Sequence, residues 1–299
     1  MNTFDLQVHS TASDGRHSPT DVVKMAKEKG VWTIALTDHD AVDGLDEAFS
    51  AGQEFGVRVI PGIEISVEEN GAHILGYGID FHNQALLDYS EEFKKRRAGA
   101  AQKMIGNLQK SGFTVDWQDV LNEVTGSVVA RPHLARAVLK RPENKEKLGG
   151  VSTVHEFIEK FLSDESPNYV RSSHISAAKA IEAIKQAGGL AVWSHPAINF
   201  ESRHDELEKF LKELMGWGLK GVEVFTSAHT EDSVELVYNL ASVNKLLVTA
   251  GSDFHEAGDH KKSARGLCSA SFVGDYPTYG FPTEGIVAKL EEAIKNVQK

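Results

Sequence analysis

The 299-residue chain has one cysteine, Cys268, so it cannot close an internal disulfide and nothing in it calls for an oxidising compartment. With no partner motif nearby, that thiol reads as a buried packing residue rather than a nucleophile or a metal ligand. No apolar run approaches the length needed to span a bilayer, which argues against a membrane protein. The opening residues lack the basic-then-apolar pattern of an export signal, so the cytoplasm is the expected compartment. Positive charge is also short. The 32 Lys and Arg stand against 43 Asp and Glu, and the net charge of −11 speaks against broad, nonspecific nucleic-acid binding. Repeats, low-complexity tracts and aromatic platforms interleaved with basic residues are likewise missing, and no signal for a protein partner is evident.

The shortage of positive charge is uneven. Residues 94–147 hold twelve Lys and Arg against five Asp and Glu, a local +7 that leaves −18 on the rest of the chain. The plain reading of such a segment is a solvated helix face, and the sharper one is an anion-facing lid.

With 41% hydrophobic residues there is ample core material for one large α/β domain, alone or with an insertion. Short apolar runs at 4–8, 31–36, 57–60, 63–65, 72–79, 190–193, 221–225 and 246–250 read as strands, with Pro61-Gly62 as a turn between the third and its continuation. Helical periodicity fills most of the gaps. Ser18-Pro19-Thr20-Asp21 is a helix start by its capping hydroxyl, first-turn proline and early acid. From Asn83 to about Pro167 no strand is convincing, and Phe93, Arg97, Ala100, Met104 and Leu108 recur at helical spacing. The expected organisation is therefore an α/β barrel from 1–82 and 168–299, with a helical insertion, 83–167, covering the active site. Strands alternating with helices imply a parallel sheet with right-handed crossovers. A closed or distorted barrel places its functional groups at the carboxyl ends of its strands.

Those ends carry an unusual set of side chains: His9, Asp14, His39, Glu64, His73, His195, Asp253 and His255. Any one of these histidines alone would read as a hydrogen-bonded core or surface residue, but their recurrence at successive strand ends makes that reading untenable for the set. Mixed imidazole and carboxylate ligands suit zinc, manganese or iron(II) better than calcium or magnesium. Eight candidates exceed one ion's needs, and a lone carboxylate among imidazoles commonly bridges two. A multinuclear site that activates water for phosphoester hydrolysis follows.

Asp5-Leu6-Gln7-Val8-His9-Ser10, Asp14-Gly15, Leu36-Thr37-Asp38-His39-Asp40, Gly62-Ile63-Glu64-Ile65-Ser66, Ala72-His73-Ile74, Ser194-His195-Pro196 and Gly251-Ser252-Asp253-Phe254-His255, in that order, resemble the motifs of the polymerase-and-histidinol-phosphatase (PHP) family, and in particular its stand-alone bacterial phosphoesterases. The resemblance spans nearly the whole chain. It implies a distorted (β/α)7 barrel with an inserted helical subdomain and two or three divalent ions (Mn, Zn or Fe). One ion would be held by Gln7, His9, Glu64 and Asp253, a second by Glu64, His73 and His195, and a third by Asp14, His39 and His255. Hydroxide bound to metal would attack phosphorus, with the catalytic assignments falling on Glu64, His195 and Asp253. The family pattern is His-x-His where this chain has Gln7-Val8-His9, and a neutral amide oxygen is a weaker ligand for these ions than imidazole.

The resemblance also turns Arg131, His133 and Arg136 of the insertion toward the site as phosphate-binding candidates, since arginine's fork suits a phosphate. Arg171 is a further candidate, and Arg97 is the member of Lys94-Lys95-Arg96-Arg97 on the apolar side of its helix. The implied activity is a metal-dependent phosphoesterase hydrolysing terminal phosphates or phosphodiesters of nucleotides or short RNA or DNA 5′ ends. The alternatives are a small-molecule phosphatase of the histidinol-phosphate type and a metal-binding regulatory module whose activity is reduced by Gln7.

Overall fold

Seven strands lie side by side in chain order: β1 (Phe4–Val8), β2 (Thr33–Leu36), β3 (Arg58–Ser66), β4 (His73–Tyr77), β5 (Leu190–Trp193), β6 (Gly221–Phe225) and β7 (Leu247–Ala250). This computed structural model describes residues 2–124, 126–163, 165–171, 175–200, 203–258 and 270–299; Cys268 lies outside them. The sheet curls until its two edges meet. Asp253 N–H donates to the Gln7 carbonyl (3.0 Å) and His9 N–H to the Phe254 carbonyl (2.9 Å), so the residues following β7 close the barrel against β1. The strands are continuously apolar runs because helices cover them outside and side chains fill them inside.

Helices α1 (Pro19–Glu28) and α2 (Leu45–Phe55) follow β1 and β2. Ser18 caps α1, its side chain accepting from Asp21 N–H, and Pro19 fills the first turn where no donor is needed. β3 differs from the expected strand–turn–strand: Pro61 and Gly62 lie within one nine-residue strand. They mark the point where β3 leaves β2, its parallel partner through Pro61, and takes up β4 from Gly62 onward. Gly62 is required there because a Cβ would stand 2.8 Å from Thr37 Cγ2 and 2.9 Å from the Leu36 carbonyl oxygen.

A second difference concerns strand direction. The sheet is not wholly parallel, since β4 runs antiparallel to both β3 and β5. The link between β3 and β4 is only residues 67–72, too short for the crossover a parallel partner requires. The reversal carries His73, the first residue of β4, to the same end of the barrel as Glu64 on β3.

Between β4 and β5 the chain runs through α3 (Gln84–Lys110), α4 (Trp117–Leu121), α5 (Arg131–Lys140), α6 (Lys145–Leu148) and α7 (Val154–Phe161), with no strand among the described residues. These helices bury an apolar cluster of their own, including Leu108, Phe113, Leu134, Phe157 and Leu162, separate from the core of the barrel. The barrel resumes with α8 (Ala177–Gln186), α9 (His204–Trp217), α10 (Glu231–Val243) and α11 (Ile286–Val297).

The barrel seam yields a stability prediction. A Cβ on Gly251 would come within 2.4 Å of Gln7 Cβ and 2.6 Å of Gln7 N, atoms of the strand it closes against. Gly251→Ala must push β1 away from the end of β7. We expect it to cost about 1–3 kcal/mol in urea unfolding; a loss below a few tenths of a kcal/mol would mean that the seam is slack.

Candidate metal and phosphate site

Eight side chains from strand ends converge at one mouth of the barrel, and Glu64 is their hub. Its Oε1 lies 2.9 Å from His73 Nδ1 and 3.2 Å from His195 Nε2, while its Oε2 lies 3.2 Å from His9 Nε2 and 3.5 Å from His39 Nδ1. His9 Nε2 is also 3.1 Å from Asp253 Oδ1, and His255 Nε2 is 3.3 Å from Asp14 Oδ1. Glu64 and His9 are fully buried.

Three groups of these donors cluster tightly enough to share an ion, with all ligand atoms within 4.8 Å of one another: His9, Asp14, His39 and His255; His39, Glu64 and His73; His9, Glu64 and Asp253. The expected ligands thus come together but are shared differently, with His9 and His39 each belonging to two groups and His195 reaching the cluster through Glu64. Several of the buried donors (both ring nitrogens of His9, His39 Nδ1 and Glu64 Oε2) lie close to others without forming a hydrogen bond. Buried polar atoms crowded together yet unbonded fit ligands arranged around common cations.

The electrostatics agree. Burial would push the Glu64 carboxyl up, but the His39 and His73 imidazoles outweigh it and hold the group well below the usual carboxylate range. Burial likewise works against a charged His9, yet Asp253 and Glu64 lift its pKa well above the ordinary imidazole value. For Asp14, His255 and His39 override burial and keep it ionised. His39 is the exception: burial outweighs the pull of Glu64 and Asp14 and brings it down to about 3.

The backbone is bent to present these groups. His195 (φ 28°), Asp253 (φ 57°) and Asp40 (φ 53°) are non-glycine residues in the left-handed region, a conformation costing about 1–3 kcal/mol each and concentrated at functional sites. Supporting carboxylates hold the loops. Asp38 accepts from Ser10 N–H (2.8 Å), Ser10 Oγ (2.7 Å) and Ser13 Oγ (2.6 Å), fixing the turn after His9. Glu223 is buried on β6 and accepts from His195 N–H at 3.0 Å, and burial pushes its carboxyl well above the usual range. The sequence reading missed Glu223, although an acid within the apolar strand Gly221–Phe225 was a visible anomaly.

Gln7 is fully buried in the place expected of it. Its Nε2 donates to Ser194 Oγ (3.0 Å) and Asp253 Oδ1 (3.2 Å), while Oε1 is buried with no hydrogen-bond partner. In this orientation the amide braces Asp253.

The basic candidates divide. A cavity of about 250 Å³ is lined by Asp14, His39 and His73 together with Arg97, Arg131 and Arg171. Arg131 stacks over the Tyr169 ring at 5.1 Å. His133 and Arg136 are not on that lining. His133 Nδ1 accepts from Ala130 N–H (2.9 Å) at the start of α5, the N3 side chain reaching back to the backbone of the cap residue as in a capping box. Arg136 Nε lies 3.8 Å from Glu123 Oε2. Burial and then Arg136 bring the His133 pKa down to about 4.

Comparison with known proteins agrees with this architecture. The PHP domain profile matches residues 5–141. A 5′-3′ exoribonuclease from Haemophilus influenzae is 32% identical over 254 residues, covering 84% of this chain and 89% of the relative. A 3′,5′-nucleoside bisphosphate phosphatase from Chromobacterium violaceum is 29% identical, covering 87% and 89%. Among solved structures, a candidate metal-dependent phosphoesterase from Bifidobacterium adolescentis superposes with a TM-score of 0.78 at 26% identity, covering 96% of this chain and 94% of that one. The chain belongs to the PHP family. Within it, the barrel and the convergent site are those of a hydrolase, a metal-dependent phosphoesterase. Among the described residues no helix is long and apolar enough to cross a membrane.

Proposed function

We propose that this phosphoesterase hydrolyses terminal phosphates or phosphodiesters of nucleotides or short oligonucleotides, with two or three Mn, Zn or Fe ions held by His9, Asp14, His39, Glu64, His73, His195, Asp253 and His255. Bound divalent ions would supply a Lewis acid and an ionised water. The chain's own groups do the rest. Glu64 and Asp253 keep negative charge among the imidazoles, Glu223 fixes the His195 backbone, and the helices of 83–167 bring cations over the mouth.

One observation carries the nucleotide reading: Arg97, Arg131 and Arg171 share a single cavity with His39 and His73. A substrate with one phosphate at the imidazoles meets guanidinium forks suited to a second anionic group. The apolar and aromatic lining of the same cavity, Met104, Val129 and Tyr169 among it, suits a nucleoside better than a small charged alcohol. His133 and Arg136 act more remotely in this reading, as supports of α5.

The test is phosphate release by the manganese-loaded protein from a 3′,5′-bisphosphate nucleotide, AMP and histidinol phosphate, and release of phosphate or of a 5′ mononucleotide from a 5′-phosphorylated short RNA, with metal content measured on the same sample. Turnover of the bisphosphate or the RNA above histidinol phosphate supports the proposal. Preference for histidinol phosphate would overturn it, and metal binding without any turnover would favour a regulatory module.

A further inference from the structure

On one face of α3, three residues at fourfold spacing form a ladder between the metal site and the cavity. Tyr89 Oη donates to Asp40 Oδ1, the residue after His39. The Tyr89 ring packs on Phe93 with centroids 6.2 Å apart and planes at 30°. The guanidinium of Arg97 lies over Phe93, 5.2 Å from its centroid, and Arg97 lines the cavity with His39 and His73. Residues at i, i+4 and i+8 share a helix face, which is why these three side chains meet in succession.

The cation at its end has little to hold. Arg97 Nε is buried and makes no hydrogen bond, and among the described residues Arg97 forms no ion pair. Asp40, the carboxylate that Tyr89 binds, is already engaged by that hydroxyl and by Ser66, whose N–H (3.2 Å) and Oγ (3.0 Å) both donate to it. Leaving a buried guanidinium donor unbonded is costly unless a ligand completes it.

We infer that Arg97 is a specificity-determining residue that binds the second phosphate of a doubly phosphorylated substrate, and that Tyr89 and Phe93 position it. This rests on the nucleotide reading above. The aromatic stack orients the guanidinium plane, and the Tyr89–Asp40 bond ties that orientation to the loop bearing His39. A charge-assisted bond made equally in the bound and transition states changes KM rather than kcat.

The test compares metal-loaded, full-length wild type with Arg97→Met, Arg97→Lys and Tyr89→Phe on adenosine 3′,5′-bisphosphate and AMP, with folding checked by thermal melting. Arg97→Met is expected to raise KM for the bisphosphate about 10- to 100-fold, leaving its kcat and the KM for AMP within about threefold. Arg97→Lys should recover part of the loss, and Tyr89→Phe should shift KM in the same direction by less. Equal effects on both substrates, a loss confined to kcat, or an unchanged bisphosphate KM would overturn the inference. If wild type turns over neither nucleotide, the functional reading fails. The two nucleotides then serve as stable ligands in calorimetric titrations, where selective weakening of the bisphosphate by Arg97→Met upholds the role of Arg97 and its absence sinks it.

Discussion

Glu64→Gln is expected to reduce turnover by at least about 10²- to 10³-fold and to lower metal content with it. The substitution is nearly isosteric and removes only the charge. Each carboxylate oxygen stands within 3.5 Å of two imidazole nitrogens, so one side chain balances His9, His39, His73 and His195 at once. An amide offers one neutral oxygen and two donors in the same volume, and its NH2 would face ring nitrogens that need an acceptor or an ion. Glu64→Asp provides the second reading. It keeps the charge but withdraws both oxygens by one methylene, and should fall between wild type and Glu64→Gln. Elemental analysis after dialysis and phosphate release on the same samples decide the matter. Turnover within tenfold of wild type in Glu64→Gln would show that Glu64 is a structural acid and that the metals lie elsewhere among these ligands.

Much of this centre was legible because its chemistry follows strand periodicity. His9, Glu64, His195 and Asp253 each sit at or just beyond an apolar run, and a barrel has only one place to collect such residues. The direction of β4 was less legible. Apolar content shows that 72–79 is a strand but not which way it runs; the short, helix-free link after Ser66 held that information. The division of the basic residues was hidden for another reason. Helical phase put His133 and Arg136 on one face of α5, but it could not show that the imidazole of His133 turns back to accept from the Ala130 N–H at the start of the helix. Phase did single out Arg97 from Lys94, Lys95 and Arg96. Its stacking on Phe93, and through Tyr89 its link to Asp40, depends on how α3 packs against the barrel, which no local pattern encodes. Glu223 was missed because a buried acid without a motif looks like an error in a strand until its partner, the His195 N–H, is in place.

Gln7→His is expected to raise metal content and turnover, with affinity for the weakest-held ion increasing about 10- to 100-fold. Position 7 is fully buried beside Asp253 and Ser194, and the present amide uses its nitrogen to satisfy both. That arrangement works against a role as ligand, because a donor facing Asp253 must turn away before an oxygen can face a cation shared with that carboxylate. The unpartnered Oε1 shows that the amide does not fully satisfy its surroundings in this orientation. An imidazole of similar size would present a lone pair without competing as a carboxamide does, and would join His9, Glu64 and Asp253 as a fourth ligand. Metal titration and phosphate release on Gln7→His and wild type, loaded in parallel, separate two roles for the residue. A gain in both identifies position 7 as a weakened ligand. Unchanged metal content and rate would identify Gln7 as a brace for Asp253, in which case Gln7→Ala should lower metal affinity by freeing that carboxylate.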